Sequence, residues 1–154
     1  MVKYCGHYIT CQEVPNEVSL TFSITNCPHR CEGCHSPWLQ EDIGDELTRA
    51  DILYYMNKYS DGFTCVCFMG TGGDLFSLKN LVEYVRSLGY KTCVYSGESI
   101  DVAKEVGLPD YFKEGQYNKE LGGLNHQTTN QRMWKKNSKD EYEDITEWFW
   151  RKKE

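Results

Sequence analysis

The stretch that decides the reading is Val18-Ser-Leu-Thr-Phe-Ser-Ile-Thr25, followed at once by Asn26-Cys27-Pro-His-Arg-Cys31-Glu-Gly-Cys34-His35. Val18, Leu20, Phe22 and Ile24 recur at every second position, so they share one face of a strand. Such a strand delivers the chain directly into three cysteines spaced C-x3-C-x2-C, a spacing that lets one loop wrap three thiolates around one metal centre. Ordinary iron–sulfur electron carriers and structural zinc sites close with four protein ligands, so three from one loop leave a coordination position open to an exogenous ligand. The alternative is a closed structural site in which Cys5, Cys11 or His35 completes the set. Cys5 and Cys11 lack the close knuckle of a zinc ribbon.

Outward from this stretch, strand and helix patterns alternate. Thr48 can cap a helix with Asp51 three residues on, and Ile52, Leu53, Met56 and Tyr59 supply its apolar stripe. Cys65-Val-Cys-Phe-Met69 reads as a buried strand that ends in Gly70-Thr71-Gly72-Gly73-Asp74. Ser77 is the expected N-cap of a second helix, with Leu78, Leu81, Val82, Val85 and Leu88 at helical spacing and Gly89 at its stop. Thr92–Tyr95 reads as a strand that exits through Ser96-Gly97. Ile100–Val106 follows as a short helix and Asp110–Lys113 as a further strand. This alternation predicts an α/β fold, an open, curved, partial barrel of mostly parallel strands, because four or five units cannot close an eight-fold barrel. From Gly115 the pattern weakens, and Trp148-Phe149-Trp150 crowds the end, where such large aromatic residues are expected to pack back onto their own domain. Cys65, Cys67 and Cys93 read as small core residues on buried strands.

The chain has 154 residues, 17 Lys or Arg against 23 Asp or Glu, and a formal net charge of −6, which bounds it to one ordinary domain. An acidic balance argues against nucleic acid, whose affinity for proteins comes largely from Lys and Arg releasing counterions. No apolar run approaches the ~18 residues of a membrane span, and residues 1–12 hold no signal-peptide run, so no membrane partner and a cytoplasmic location are expected. In a reducing cytosol, closely spaced cysteines are more often metal ligands or redox groups than disulfide partners.

The C-x3-C-x2-C loop directly after a strand resembles the signature of the radical S-adenosylmethionine (SAM) enzymes. Within it, Cys27-Pro-His-Arg-Cys31-Glu-Gly-Cys34-His-Ser-Pro37 is similar to the cluster loop of activating enzymes for the anaerobic, class III ribonucleoside-triphosphate reductase. Gly72-Gly73-Asp74 is similar to that family's Gly-Gly-Glu-Pro or Gly-Gly-Asp-Pro element, with Leu75 where the family has Pro. Tyr95-Ser96-Gly97 resembles its aromatic-Thr-Gly, and Gly115-Gln116-Tyr117 through Thr129-Asn130-Gln131-Arg132 its C-terminal block. The resemblance spans about residues 15–134 of a single radical SAM domain over 1–154, leaving 135–154 as a polar, aromatic tail.

The resemblance implies a [4Fe–4S] cluster on Cys27, Cys31 and Cys34, and SAM lined at its adenosyl end by Gly33, Cys34 and His35. It implies that Gly72, Gly73 and Asp74 meet the methionyl amino group, a carboxylate being the natural partner of an ammonium, and that Ser96 hydrogen-bonds the cofactor. Asp110 is a further candidate for the same cavity. The implied partners are a flavodoxin- or ferredoxin-like one-electron donor and the anaerobic ribonucleoside-triphosphate reductase. One electron cleaves SAM to methionine and a 5′-deoxyadenosyl radical, which takes a hydrogen atom from a glycine α-carbon of the reductase and leaves a glycyl radical. No side-chain acid or base is required, the chemistry being carried by the cofactor. Gly122–Arg132 is expected to border the mouth that admits the partner. The competing readings are activation of another glycyl-radical enzyme, such as a formate lyase, and a non-catalytic zinc or iron–sulfur module.

Overall fold

The period-two repeat forms its strand: β2 (Ser19–Ile24) is buried along nearly its whole length. In the computed structural model, which describes residues 1–27, 40–60 and 62–150, β2 pairs in parallel with β4 (Cys65–Met69), β4 with β5 (Lys91–Tyr95), and β5 with β6 (Tyr111–Glu114). The expected strands thus form the centre of the sheet. Four more strands flank it: β1 (Lys3–Thr10) and β3 (Asp45–Glu46) on one side, β7 (Arg132–Lys136) and β8 (Tyr142–Asp144) on the other. The order is β3-β1-β2-β4-β5-β6-β7-β8, eight strands in all.

All four flanking ladders are antiparallel, against three parallel ladders in the centre, so the expectation of mostly parallel strands is corrected to a mixed α/β sheet. The physical reason is that the flanking strands lack the alternation that betrayed β2. Lys3–Thr10 is only partly buried and Arg132–Lys136 carries three cations, because edge-proximal strands have less apolar surface to cover. Among the described residues no ladder joins β3 to β8.

Helix α1 (Arg49–Lys58) starts with the expected capping box: Thr48 accepts from the Asp51 amide at 3.1 Å and its own amide donates to Asp51 at 2.9 Å. It buries Ile52 and Met56, but Leu53 faces outward. Helix α2 (Leu75–Ser87) begins three residues before the expected start. Asp74, not Ser77, is the N-cap, and its carboxylate accepts from the Ser77 amide at 3.1 Å and the Ser77 hydroxyl at 2.7 Å. Leu78, Leu81, Val82 and Val85 pack onto the sheet, each stabilising the fold by about 2 kcal/mol relative to exposure. Ile100–Val106 is a 3-10 helix that stops at Gly107.

The strand alternation divides the sheet into two faces. On one, Leu20, Phe22, Ile24, Val66, Phe68, Val94 and Phe112 form the large core with α1 and α2. On the other, register aligns Thr21, Cys67, Cys93 and Tyr111 across β2, β4, β5 and β6. Val14, Leu124, Met133 and Ile145 cover that second face, with Trp148 and Phe149 packed against them. Trp150 donates its indole N–H to the Leu124 carbonyl at 2.8 Å, so the terminal aromatic cluster packs onto its own sheet as expected. Cys65, Cys67 and Cys93 are buried core residues, and burial pushes the Cys65 and Cys93 thiols well up, away from thiolate chemistry. No helix among the described residues is long and apolar enough to cross a membrane.

Candidate functional site

The four parallel strands finish in step. Ser23, Met69, Tyr95 and Lys113 are register partners across β2, β4, β5 and β6, so the segments that leave these strands emerge side by side. Carboxyl ends of parallel strands are where α/β sheets place ligands, since the loops there can diverge while the strands hold them. At this end lie Thr25–Cys27, Gly70–Asp74, Ser96–Glu98 and Gly115–Gln116.

The exit from β2 is pinned. The Thr25 amide donates to the Lys3 carbonyl at 2.9 Å, its hydroxyl donates to the Ile43 carbonyl at 2.6 Å, and the Asn26 amide donates to the Glu41 carbonyl at 2.9 Å. Asn26 takes φ 60°, a left-handed turn that Asn tolerates, and hands the chain to half-buried Cys27. Cys31, Cys34, Gly33 and His35 lie outside the described residues. Among the described residues no group of three His, Cys, Asp or Glu side chains is arranged to hold a metal.

The glycine loop after β4 lies against the same exit. Gly72 sits at φ 66°, and a Cβ there would come within 3.2 Å of Ile24 Cγ2 and 3.3 Å of the Thr25 carbonyl oxygen. A side chain at Gly72 would press on both atoms, so glycine is what suits this close approach. Gly73, at φ 74°, has open space where its Cβ would stand. Asp74 carries the strongest local electrostatics. It holds the α-ammonium of Met1, and that contact with the two bonds from Ser77 lowers its carboxyl to about 2. The carboxylate therefore already serves as an ammonium acceptor.

Ser96 is buried, and its hydroxyl accepts from the Glu98 amide at 2.9 Å. Its carbonyl accepts from Lys113 Nζ at 3.0 Å, and the same ammonium donates to the Gly115 carbonyl at 2.8 Å. Lys113 thus ties the exits of β5 and β6 together, a role the sequence reading missed. The signal was its period-two spacing from Tyr111, which puts both on one face. The Gly122–Arg132 segment is bound to the same end: Asn130 donates to the Gln116 carbonyl at 3.1 Å and Arg132 is the register partner of Glu114. Arg132 also pairs with Asp144 at 3.6 Å. Asp110 does not belong here. It precedes β6, and its carboxylate accepts from the amide and hydroxyl of Thr92 at 2.8 and 3.1 Å, at the amino end of the sheet, where it joins β5 to β6.

No family model, curated protein or solved structure matches this chain. Its chemistry is therefore read from the residues themselves.

Proposed function

We propose that this chain is a radical SAM activase that converts a glycine of an anaerobic ribonucleoside-triphosphate reductase into a glycyl radical. The observation that carries the reading is the convergence, at one end of the parallel centre, of the β2 exit into Cys27, the Gly70–Asp74 loop and Ser96. In this reading β2, β4, β5 and β6 are the surviving part of a radical SAM partial barrel, and the antiparallel strands are additions to it.

The donor set fits an iron–sulfur cluster, since three thiols are soft ligands and leave one metal position for SAM. Cys27, Cys31 and Cys34 would hold a [4Fe–4S] cluster, which supplies one-electron cleavage of SAM when reduced by a flavodoxin- or ferredoxin-like donor. Gly33, Cys34 and His35 would line the adenosyl end. Gly72 brings the backbone against the β2 exit, Gly73 leaves open space, and Asp74 would accept the methionyl ammonium where it now accepts that of Met1. Ser96, whose hydroxyl oxygen is engaged, retains a proton to donate to SAM. Lys113 holds the two loops that frame this hydroxyl. Arg132 and the segment before it border the approach of the reductase.

The test is to reduce the reconstituted protein anaerobically, add SAM and a class III reductase, and record the electron paramagnetic resonance spectrum. A glycyl radical is the expected signal. Cleavage of SAM without it, followed by a radical on a formate lyase, would move the assignment to another glycyl-radical enzyme. Colourless zinc-loaded protein that leaves SAM intact would refute it.

A further inference from the structure

The segment that leads into β1 is fixed at Val2 and exposed at Met1. Val2 is buried in the large core, and its carbonyl accepts from the Leu47 amide at 2.8 Å. Met1 lies outside that core, and its α-ammonium reaches the Asp74 carboxylate, 73 residues away in sequence.

That carboxylate is nearly filled. Oδ1 accepts from the Ser77 amide, and Oδ2 accepts from the Ser77 hydroxyl and the Met1 ammonium. Two carboxylate oxygens offer about four lone-pair sites, so most of the capacity is taken. The Ser77 bonds cap α2 and stay with the helix. The ammonium is the partner that can leave. A second ammonium brought to the remaining site would stand beside the first, and like charges that close repel.

We propose that the Met1 ammonium occupies the place of the methionyl ammonium of SAM, so that SAM binds this chain by displacing the chain's own terminus. The inference rests on the radical SAM reading, in which Asp74 accepts that ammonium, and adds to it a built-in competitor. The competitor matches in chemistry, since Met1 and the amino-acid end of SAM both present the α-ammonium of a methionine. It matches in reach as well. Val2 anchors an arm one residue long, which keeps the ammonium beside Asp74 at high effective concentration, and swinging the arm away leaves Val2 in the core. In a chain acylated at Met1, or preceded there by another residue, the ammonium becomes an amide and the competition ends. An open amine restrains SAM binding, and a blocked one releases it.

The test compares the protein carrying a free Met1 amine with the same protein acetylated there, both reconstituted anaerobically with iron and sulfide. Equilibrium dialysis against SAM, without reductant, reads binding in the absence of turnover. The Met1 and Asp74 side chains are 54% and 31% exposed, so water screens their contact, and acetylation should tighten SAM binding by about two- to fivefold. A Gly-Ser extension before Met1 removes the same charge with a different bulk and should give the same gain. The contact itself is read without iron or SAM. Acetylation should make the loss of stability between about pH 4 and pH 2 shallower, because the ammonium is the leading cause of the low Asp74 pKa. Equal or weaker SAM binding in both blocked forms, or an unchanged acid slope, overturns the competition and leaves the radical SAM reading standing. SAM bound by none of the forms overturns that reading and the inference with it.

Discussion

Alanine at Gly72 and at Gly73 separates backbone strain from contact within one loop. Both glycines occupy the left-handed region, φ 66° and 74°, so each Ala variant carries a strain of about 1–2 kcal/mol. The entropy removed from the unfolded chain is the same for both and cancels in the comparison. Gly72→Ala adds a Cβ 3.2 Å from Ile24 Cγ2 and 3.3 Å from the Thr25 carbonyl oxygen, whereas Gly73→Ala meets nothing within 4 Å. The Ile24 and Thr25 atoms belong to a strand end fixed by the Lys3, Ile43 and Gly70 segments, so overpacking adds about 1–2 kcal/mol more at Gly72. For a chain of this size each kcal/mol shifts Tm by about 2–4 °C, which places the Gly72→Ala melt about 2–8 °C below that of Gly73→Ala. Differential scanning calorimetry reads the difference. Equal Tm values, or a lower one for Gly73→Ala, would refute the packing of this loop on the exit that leads to Cys27.

Three further outcomes follow from the same geometry. Arg86 donates from one guanidinium nitrogen to the Gly107 and Leu108 carbonyls at 2.6 Å each, so Arg86→Ala should cost about 2–3 kcal/mol in urea denaturation; a change below 0.5 kcal/mol, the ordinary range of surface substitutions, contradicts the tether. Asp74 has a folded pKa of about 2 against 3.8 in the unfolded chain, so its contribution is full above the unfolded value and is lost as pH falls from about 4 towards 2. Asp74→Asn should flatten that part of the stability–pH curve, and an unchanged slope would count against the ammonium contact. On the proposed function, Arg132→Ala should leave SAM cleavage intact and weaken activation of the reductase; equal loss of both removes its docking role.

The parts of the fold legible in the sequence were those buried on both sides. The apolar faces of β2 and β4 and the helical stripe of α2 announce themselves because each must be covered. β1 and β7 were not legible, since Lys3, His7, Lys135 and Lys136 answer to solvent and to neighbouring strands more than to a core. The site followed the same division. Gly72 was singled out by the resemblance of Gly72-Gly73-Asp74 to a family element, since a short glycine-rich loop by itself reads as a plain turn. The position of Asp110 could not be read, because a carboxylate before a strand looks the same whether it faces a ligand or, as here, caps the neighbouring strand through Thr92. Asp74 was recognised for its charge but not as the α2 cap, because the expected cap was Ser77, which instead donates to it.

The most direct measurement of the central claim is the yield of 5′-deoxyadenosine from SAM. Protein reconstituted anaerobically with iron and sulfide and reduced with dithionite should form 5′-deoxyadenosine and methionine in equal amounts. Cys31→Ala should lose both the iron–sulfur absorption and this product while keeping the wild-type fold. Undiminished product from Cys31→Ala, or none from fully loaded wild-type protein, would contradict the account.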